Sequence, residues 1–398
     1  MRSGASHTIS SREVHRCALS WLNESMRMKD HGWLCTSDVV WGIVLRAAAR
    51  TCSLIAACRD LANGPSDQAV FDALRDGLPK TLRVLEKRLN GALVDHLPRR
   101  LQRRLWTIAI DWHLVPYYGE PQKSRNQIFY GKPRQGTKKF HAYASACIVS
   151  HGVHYTLAVT WVRRHETTVV ALGRLLEQIR GKGLKIKRLL LDRAFFSATV
   201  THFLQAEQVP FLMPVMFRGR TIKNKKKKRN PTGLHWIKRQ KVGRYPHTLS
   251  NKTQSASLSI YVAYRTHKNR KDRKRKQQKL LFGAWRVSGS PREIRDLYRT
   301  RFGIETSYRQ WRQARIFTCT RDPHLRLLFV VIGLLLRNVW LWLHETLFAD
   351  RSGPTINLRL GKLRFRHMLD WIASEVAAQL HDATTPYVAI HNERTWHY

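Results

Sequence analysis

Five short apolar segments between Leu105 and Val215 constrain the fold more than any other feature of the chain. The first, LWTIAID, is a continuous apolar run that closes on Asp111 and reads as a buried strand. WHLVPYYG follows, and its Pro116 and Gly119 are expected to end regular structure. KFHAYASACIV and VHYTLAVTWV, joined by a short Ser-His-Gly connection, read as an antiparallel hairpin. Val169, Leu172, Leu175, Leu176 and Ile179 then recur at helical spacing, and IKRLLLD gives a fourth strand that closes on Asp192. A helix from about Ser197 to Gln208 leads to the fifth strand, VPFLMPV.

Three strands, helix, strand, helix, strand is an α/β order, and in such sheets ligands bind beyond adjacent strand ends. Asp111 and Asp192 can therefore converge although 81 residues separate them. Each alone fits an ordinary structural aspartate; both at the ends of apolar strands suggest a site.

A third carboxylate comes from SPREIRDLYRTRFGIETSYRQWRQAR, residues Ser290 to Arg315. Ser290 can cap a helix, Pro291 suits its first position, and Glu293 completes a capping box. At about 100° per residue, Tyr298, Arg301, Glu305 and Arg312 fall on one face. Gly303 costs about 1 kcal/mol in a helix interior and is where the segment can divide into two helices. Guanidinium forks hold phosphate oxygens, and a carboxylate among them suits a hard cation such as Mg²⁺. The same pattern also fits a solvated basic helix with one incidental glutamate.

The partner is constrained by charge. Lys and Arg number 71 against 27 Asp and Glu, a formal net charge of +44. A polyanion is expected, with nucleic acid ahead of an anionic membrane surface. The chain is 43% hydrophobic with 13 Trp, which excludes a disordered basic tail. Its six cysteines form no C-x-x-C pair, so neither zinc nor a disulfide framework is expected. MRSGASHTISSREVHR lacks the apolar core of a signal peptide. The apolar run Leu327 to Leu336, bracketed by Arg326 and Arg337, is half of the roughly 20 residues a membrane span needs. A buried helix and a cytoplasmic, nucleoid-associated protein with no membrane partner are the expectation.

Around the sheet, residues 1–104 read as an all-helical N-terminal domain for DNA binding. SLIAACRDL, a turn at ANGPS and DQAVFDAL fit a helix-turn-helix with Ser66 as cap and Asp67, Gln68 and Asp72 exposed. An ordinary helical hairpin is the reading this spacing favours over a recognition unit. Arg99, Arg100, Arg103 and Arg104 are placed to lie along a phosphate backbone. Residues 105–217 form the first part of the core. Residues 218–286 interrupt it with NKKKKRN, GLHWIKRQKVGRYPH, SLSIYVAYRTH and KNRKDRKRKQQK, a basic β-rich insertion. It reads as lying along DNA, with Trp236, Tyr245 and Trp285 available to stack on bases, although packing explains any one of them. Residues 287–348 return to the core with the Glu305 helix and a long apolar helix from Pro323 to Phe348 that covers the sheet. Residues 349–398, with Leu363 to Leu380, read as helical and peripheral.

Taken together, these residues resemble the DDE transposases of bacterial and archaeal insertion sequences, in the subgroup with a Tyr-x2-Arg-x3-Glu-x6-Lys signature. That signature reads Tyr298, Arg301, Glu305 and Arg312 here, with Arg in place of Lys. IDWHLVPYYG looks like the family's first aspartate and its following turn, and LDRAFFS like the second; His113 stands where a hydroxyl residue is more usual. The resemblance covers roughly Trp106 to Phe317. It implies an RNase H-like fold, two divalent metals (Mg²⁺ or Mn²⁺) held by the catalytic residues Asp111, Asp192 and Glu305, phosphate binding by Tyr298, Arg301 and Arg312, and a homodimer on double-stranded DNA. Some relatives pass through a hairpin DNA end with help from a stacking aromatic, a task for Trp285 or Phe282. A catalytically lost DNA-binding descendant, a metal-dependent nuclease that does not join strands, and a basic structural or RNA-coating protein are the alternatives.

Overall fold

The computed structural model describes residues 8–59, 61, 63–120, 127–150, 154–216, 234–268, 275–349, 358–381 and 387–389. After a three-residue strand β1 (Thr8–Ser10) come the helices α1 (Ser11–Met26), α2 (Ser37–Ala49), α3 (Leu54–Arg59), α4 (Asp67–Gly77), α5 (Leu82–Val94) and the single turn α6 (Arg100–Arg103). Side-chain caps set three of the starts: Ser10, Thr36 and Ser66 each accept a backbone N–H three residues on, and Ser10 with Glu13 forms a full capping box.

The sheet begins with β2 (Leu105–Pro116), β3 (Phe129–Arg134), β4 (Thr137–Ile148) and β5 (Thr156–Val162). Helix α7 (Thr168–Gly181), strand β6 (Lys185–Leu191), helix α8 (Ala198–Ala206) and strand β7 (Phe211–Pro214) follow. β2 is antiparallel to β4 and parallel to β6, which is parallel to β7. The expected end of β2 at Asp111 is corrected: the strand runs on to Pro116, because β4 keeps pairing with it from Trp112–Ala144 to Pro116–Phe140. Proline stands at the last position, where a missing N–H does least harm. β3, not foreseen, pairs with the opening residues of β4.

The insertion supplies β8 (Gly243–Ser250), β9 (Ser255–Lys268) and β10 (Arg275–Trp285). β10 lies antiparallel to β7, so these strands lengthen the core sheet, giving nine strands in the order β3-β4-β2-β6-β7-β10-β9-β8 with β5 also on β4. NKKKKRN falls outside the described residues, as do residues 269–274 of the second basic run; the rest of that run is strand.

Among the described residues, α9 (Pro291–Arg299), α10 (Phe302–Trp311), α11 (Pro323–Leu343) and α12 (Phe365–His381) come next, followed by β11 (Tyr387–Ala389), which pairs with β1. Helix α11 and the π-turn after it span Pro323–Phe348, long and apolar enough by composition to cross a membrane, yet 94% of the apolar window is buried inside the protein. α12 is not peripheral. Met368, Leu369, Ile372 and Val376 are buried, Ser11 Oγ donates to the buried Glu375 at 3.0 Å, and Arg46 donates to the Ala373 carbonyl at 2.7 Å, so the helix closes over α1 and α2.

The N-terminal helices are joined to the sheet through its edge. β5 would expose a row of unpaired backbone groups. Asn90 of α5 accepts the Val159 N–H at 2.8 Å and donates to its carbonyl at 3.0 Å. Glu86 of α5 accepts from Thr160 Oγ1 and the Trp161 N–H. Asn338 of α11 accepts the Thr156 N–H at 2.9 Å and donates to the carbonyls of Thr156 and Leu93. All three side chains are buried, so these bonds are shielded from water. Replacing Asn338 with Leu keeps the branched outline of the side chain but orphans three backbone groups, at about 1–3 kcal/mol each when fully desolvated. Urea unfolding of Asn338→Leu is expected to show a loss of at least about 2 kcal/mol; an unchanged midpoint would mean that α11 does not hold this edge.

Candidate active site

The site lies where the parallel ladder of the sheet stops. Ile110 of β2 pairs with Leu191 of β6 as the last such pair, so Asp111 and Asp192 are the next residues on neighbouring strands. Strands stand about 4.8 Å apart, which brings the two carboxylates to one place. β6 ends there because Asp192 turns the chain into a 3₁₀ turn, Arg193–Phe195, closed by the Phe195 N–H on the Asp192 carbonyl at 3.1 Å.

The third carboxylate arrives on α9 and α10. Ser290 and Glu293 form the expected capping box with Pro291 in the first turn. The segment does divide, at Thr300 and Arg301, where the N–H groups of both residues and of Gly303 and Ile304 bond three residues back in a tightened turn. Gly303 serves a close approach: a methyl group there would stand 2.6 Å from Nδ1 of His154.

Arg301 sits at the bend and joins the three segments. Its buried guanidinium donates to Asp111 Oδ2 at 3.1 Å and to Glu305 Oε1 at 2.5 Å, while its Nε is buried without a partner. Asp111 Oδ1 accepts the Trp112 N–H at 2.8 Å. Tyr298 donates from its hydroxyl to the Leu191 carbonyl at 3.2 Å, fixing α9 to the end of β6. Tyr308, on α10, donates to the Asp111 carbonyl at 3.3 Å and shares a 2.6 Å hydrogen bond with Ser145 of β4. The His113 ring stacks on Tyr308 at 4.6 Å and meets Trp311 edge-on.

Burial raises the Asp111 carboxyl from its usual 3.8 to about 6; Arg301 opposes this, and the charge of Asp192 adds to it. Burial alone would lower the Arg301 pKa, but Tyr298, Asp111, Asp192 and Glu305 around it raise it. Burial pushes the Tyr298 phenol up as well, against the pull of Arg301. The site is thus a cluster of acids around one cation, with a net excess of negative charge.

Three carboxylates are an all-oxygen donor set, the kind that hard divalent cations take. Among the described residues, no three His, Cys, Asp or Glu stand close enough together to hold an ion as they are. The physical reason is Arg301, whose guanidinium lies between Asp111 and Glu305 and bonds to both. Glu305 is 43% exposed in its side chain.

The other residues singled out in the sequence lie around this centre. Arg312 follows α10 in a 3₁₀ turn and faces a groove shared with His113 and Arg315, one step along β2 from the carboxylates. Trp285 is half-buried at the end of β10, with its ring stacked on Phe211 and the Arg286 guanidinium 4.4 Å from its ring centre. Phe282 is buried against Tyr298 and offers no face for stacking on a base. Gln68 is on the outer face of α4, where its amide donates to both oxygens of Asp72 at 2.9 Å. Arg103 and Arg104 are exposed at the junction of α6 and β2. Tyr308 and Ser145 were not singled out; Tyr308 stands one helical turn beyond Glu305, the one signal that could have found it.

A mixed α/β sheet with aspartates side by side where its parallel ladder stops and a glutamate on a covering helix defines an acidic site in a strongly basic protein. The model of the transposase DDE domain family matches residues 102–339, more than half of the sequence, and the chain belongs to that family. Among solved structures the chain is similar to a piggyBac transposase in a synaptic complex with hairpin DNA, at 14% identity over 93% of this chain and 80% of that one, with a TM-score of 0.47. No curated protein matches it.

The raised carboxyl of Asp111 has a thermodynamic consequence. Between pH 3.8 and about 6 the folded protein holds a proton that the unfolded chain releases. This contribution to stability is therefore fully present below pH 3.8 and is lost as the pH rises through about 6. A change of that size corresponds to roughly 3 kcal/mol. Urea titrations at the two ends of this window should show wild type losing about that much relative to Asp111→Asn; a constant difference would mean that Asp111 carries an ordinary carboxylate.

Proposed function

We propose that this chain is an active cut-and-paste DNA transposase that cleaves at the ends of an insertion sequence and transfers the strands to target DNA. The observation that carries the reading is the convergence of Asp111, Asp192 and Glu305 on the buried Arg301 at the end of the parallel ladder. An RNase H-like core is supported by the strand order β5-β4-β2-β6-β7, antiparallel in its first three strands and parallel in the last two.

In this reading Asp111, Asp192 and Glu305 would hold two divalent ions, Mg²⁺ or Mn²⁺, and these would supply Lewis acidity for an in-line displacement at phosphorus. The residues of the chain do the rest. Arg301 releases its two carboxylates and turns its fork to phosphate oxygens, a bidentate partner it suits equally well. Tyr298 and Tyr308 keep α9 and α10 fixed to the ends of β6 and β2 while this occurs. A DNA 3′-hydroxyl forms the new phosphodiester bond as the old one breaks, and no covalent protein intermediate is required.

The helical region 1–104, with Gln68, Arg103 and Arg104, and the insertion 218–286, with Trp285, would contact double-stranded DNA, and two copies of the chain would hold two element ends together. Such a protein works at the nucleoid. A charge of +44 favours this partner class.

Purified protein is to be incubated with DNA carrying the flanks of its own gene and Mg²⁺ or Mn²⁺, beside Glu305→Gln. Wild type is expected to cut at the flanks and join the ends to other DNA. The variant should bind equally and react at least about 10³-fold more slowly, a loss of some 4 kcal/mol in transition-state stabilisation. Cutting without joining would mark a nuclease. Equal binding with no cutting by either protein would leave a DNA-binding descendant and overturn the reading.

A further inference from the structure

Just past Asp111 along β2, the chain enters a concavity of about 220 Å³ between the end of β2, the β3–β4 turn and the residues after α10. Arg134, Arg312 and Arg315 line it together with His113, Pro116 and Trp311, and no lining residue is acidic. Among the described residues none of these three arginines forms an ion pair with a carboxylate. Three guanidinium groups around one hollow repel one another; Arg134 and Arg312 are exposed at its rim, and Arg315 is held by packing.

That packing is visible. The Arg315 guanidinium lies 5.9 Å from the Trp311 ring centre and 5.2 Å from that of Phe317. Trp311 is buried and donates its indole N–H to the Val330 carbonyl of α11 at 2.9 Å. His113 Nε2 is buried and has no hydrogen-bond partner. The hollow thus offers positive charge, with the Arg315 guanidinium held in place, to whatever enters.

Two aromatic rings belong to the same neighbourhood. Tyr118 is 68% exposed, and its hydroxyl is tied to the Gln135 carbonyl at 2.8 Å, which holds the ring beside the β3–β4 turn. Phe317 is 48% exposed next to Arg315. Bare aromatic faces among cations stack on unpaired bases, which a duplex keeps inside its own stack. A duplex would use the charges alone.

From this we infer that the groove is a subsite for single-stranded DNA: Arg134, Arg312 and Arg315 bind successive phosphates, and Tyr118 and Phe317 stack on the bases between them. The inference deepens the proposed function, since the strand it takes is the one that continues from the bond held at Asp111, but binding itself requires no catalysis.

The test is anisotropy of a short fluorescein-labelled oligothymidylate and of a duplex without element ends. It compares wild type with Arg134→Ala/Arg315→Ala, Tyr118→Ala and, as a control in the insertion, Arg244→Ala. The double variant should bind the single strand at least about 10-fold more weakly, with its log–log salt slope reduced by about 1.4, or 0.7 for each lost phosphate contact. Tyr118→Ala should lose about 5- to 100-fold, the range of one base stack. Duplex binding should fall less than about 3-fold in all, and Arg244→Ala should leave the oligonucleotide unaffected. Unchanged oligonucleotide binding in both groove variants, or an equal loss for duplex, overturns the subsite.

A photocrosslink made on wild type with an iodouridine oligonucleotide needs no folded variant. It should fall in residues 116–120, 127–135 or 312–317, and crosslinks confined to other described segments contradict the inference. If the oligonucleotide results hold while no DNA is cut, the groove stands and the catalytic reading fails. If DNA is cut and joined while the groove variants bind normally, the reverse holds.

Discussion

Arg301 is the contact on which the rest of the molecule depends. It ties a helix bend to the middle of a sheet strand by bonding Glu305 and Asp111 with one fork. Two opposite charges about 4 Å apart gain about 4 kcal/mol at an effective dielectric of 20, and burying a charge without a partner costs more than that. The pair therefore does not fully compensate Asp111, whose carboxyl stays raised to about 6. The site is stable enough to form and still short of positive charge.

Several choices elsewhere follow from keeping that contact in place. The bend before α10 requires the helix to pass close to the His154 loop, and Gly303 permits it. Gly333 of α11 does the same on the other side, since a methyl group there would stand 2.6 Å from the Ala314 carbonyl oxygen. Asn338 and Asn90 then anchor α11 and α5 to the edge of β5, so the N-terminal helices, α11 and the sheet share one apolar cluster, while Ile294, Tyr298 and Ile304 of α9 and α10 pack with Ala109, Leu190 and Leu212 in a second. At the opposite side of the sheet, β10, β9 and β8 extend it beyond β7, which puts the basic insertion on the same framework as the carboxylates.

Much of this was legible because local chemistry and global fold agree. Asp111 and Asp192 stand out as acids closing apolar runs, and the sheet puts them side by side. Ser290, Pro291 and Glu293 announce the start of α9, and a break near Gly303 follows from helix propensity. What failed was what only pairing decides. Trp112 to Pro116 look like a loop until β4 supplies their hydrogen bonds, and α12 looks peripheral until Glu375 and Ala373 meet Ser11 and Arg46. Arg312 was placed by an unbroken 100° rotation, but the chain bends at Arg301 and tightens after Trp311, so it faces the groove. Arg301 itself reads as a phosphate ligand in sequence; its ion pair with Asp111 depends on a strand 190 residues away.

The central claim is that three segments distant in sequence form one site for a divalent cation. Fe²⁺ with ascorbate and peroxide tests it directly, because a bound Fe²⁺ generates radicals that cut the polypeptide only beside it. Backbone cleavage is expected near Asp111, Asp192 and Glu305 together, suppressed by excess Mg²⁺ and lost from all three places in Asp111→Asn. Cleavage at one of the three alone, or none above background, would contradict the account.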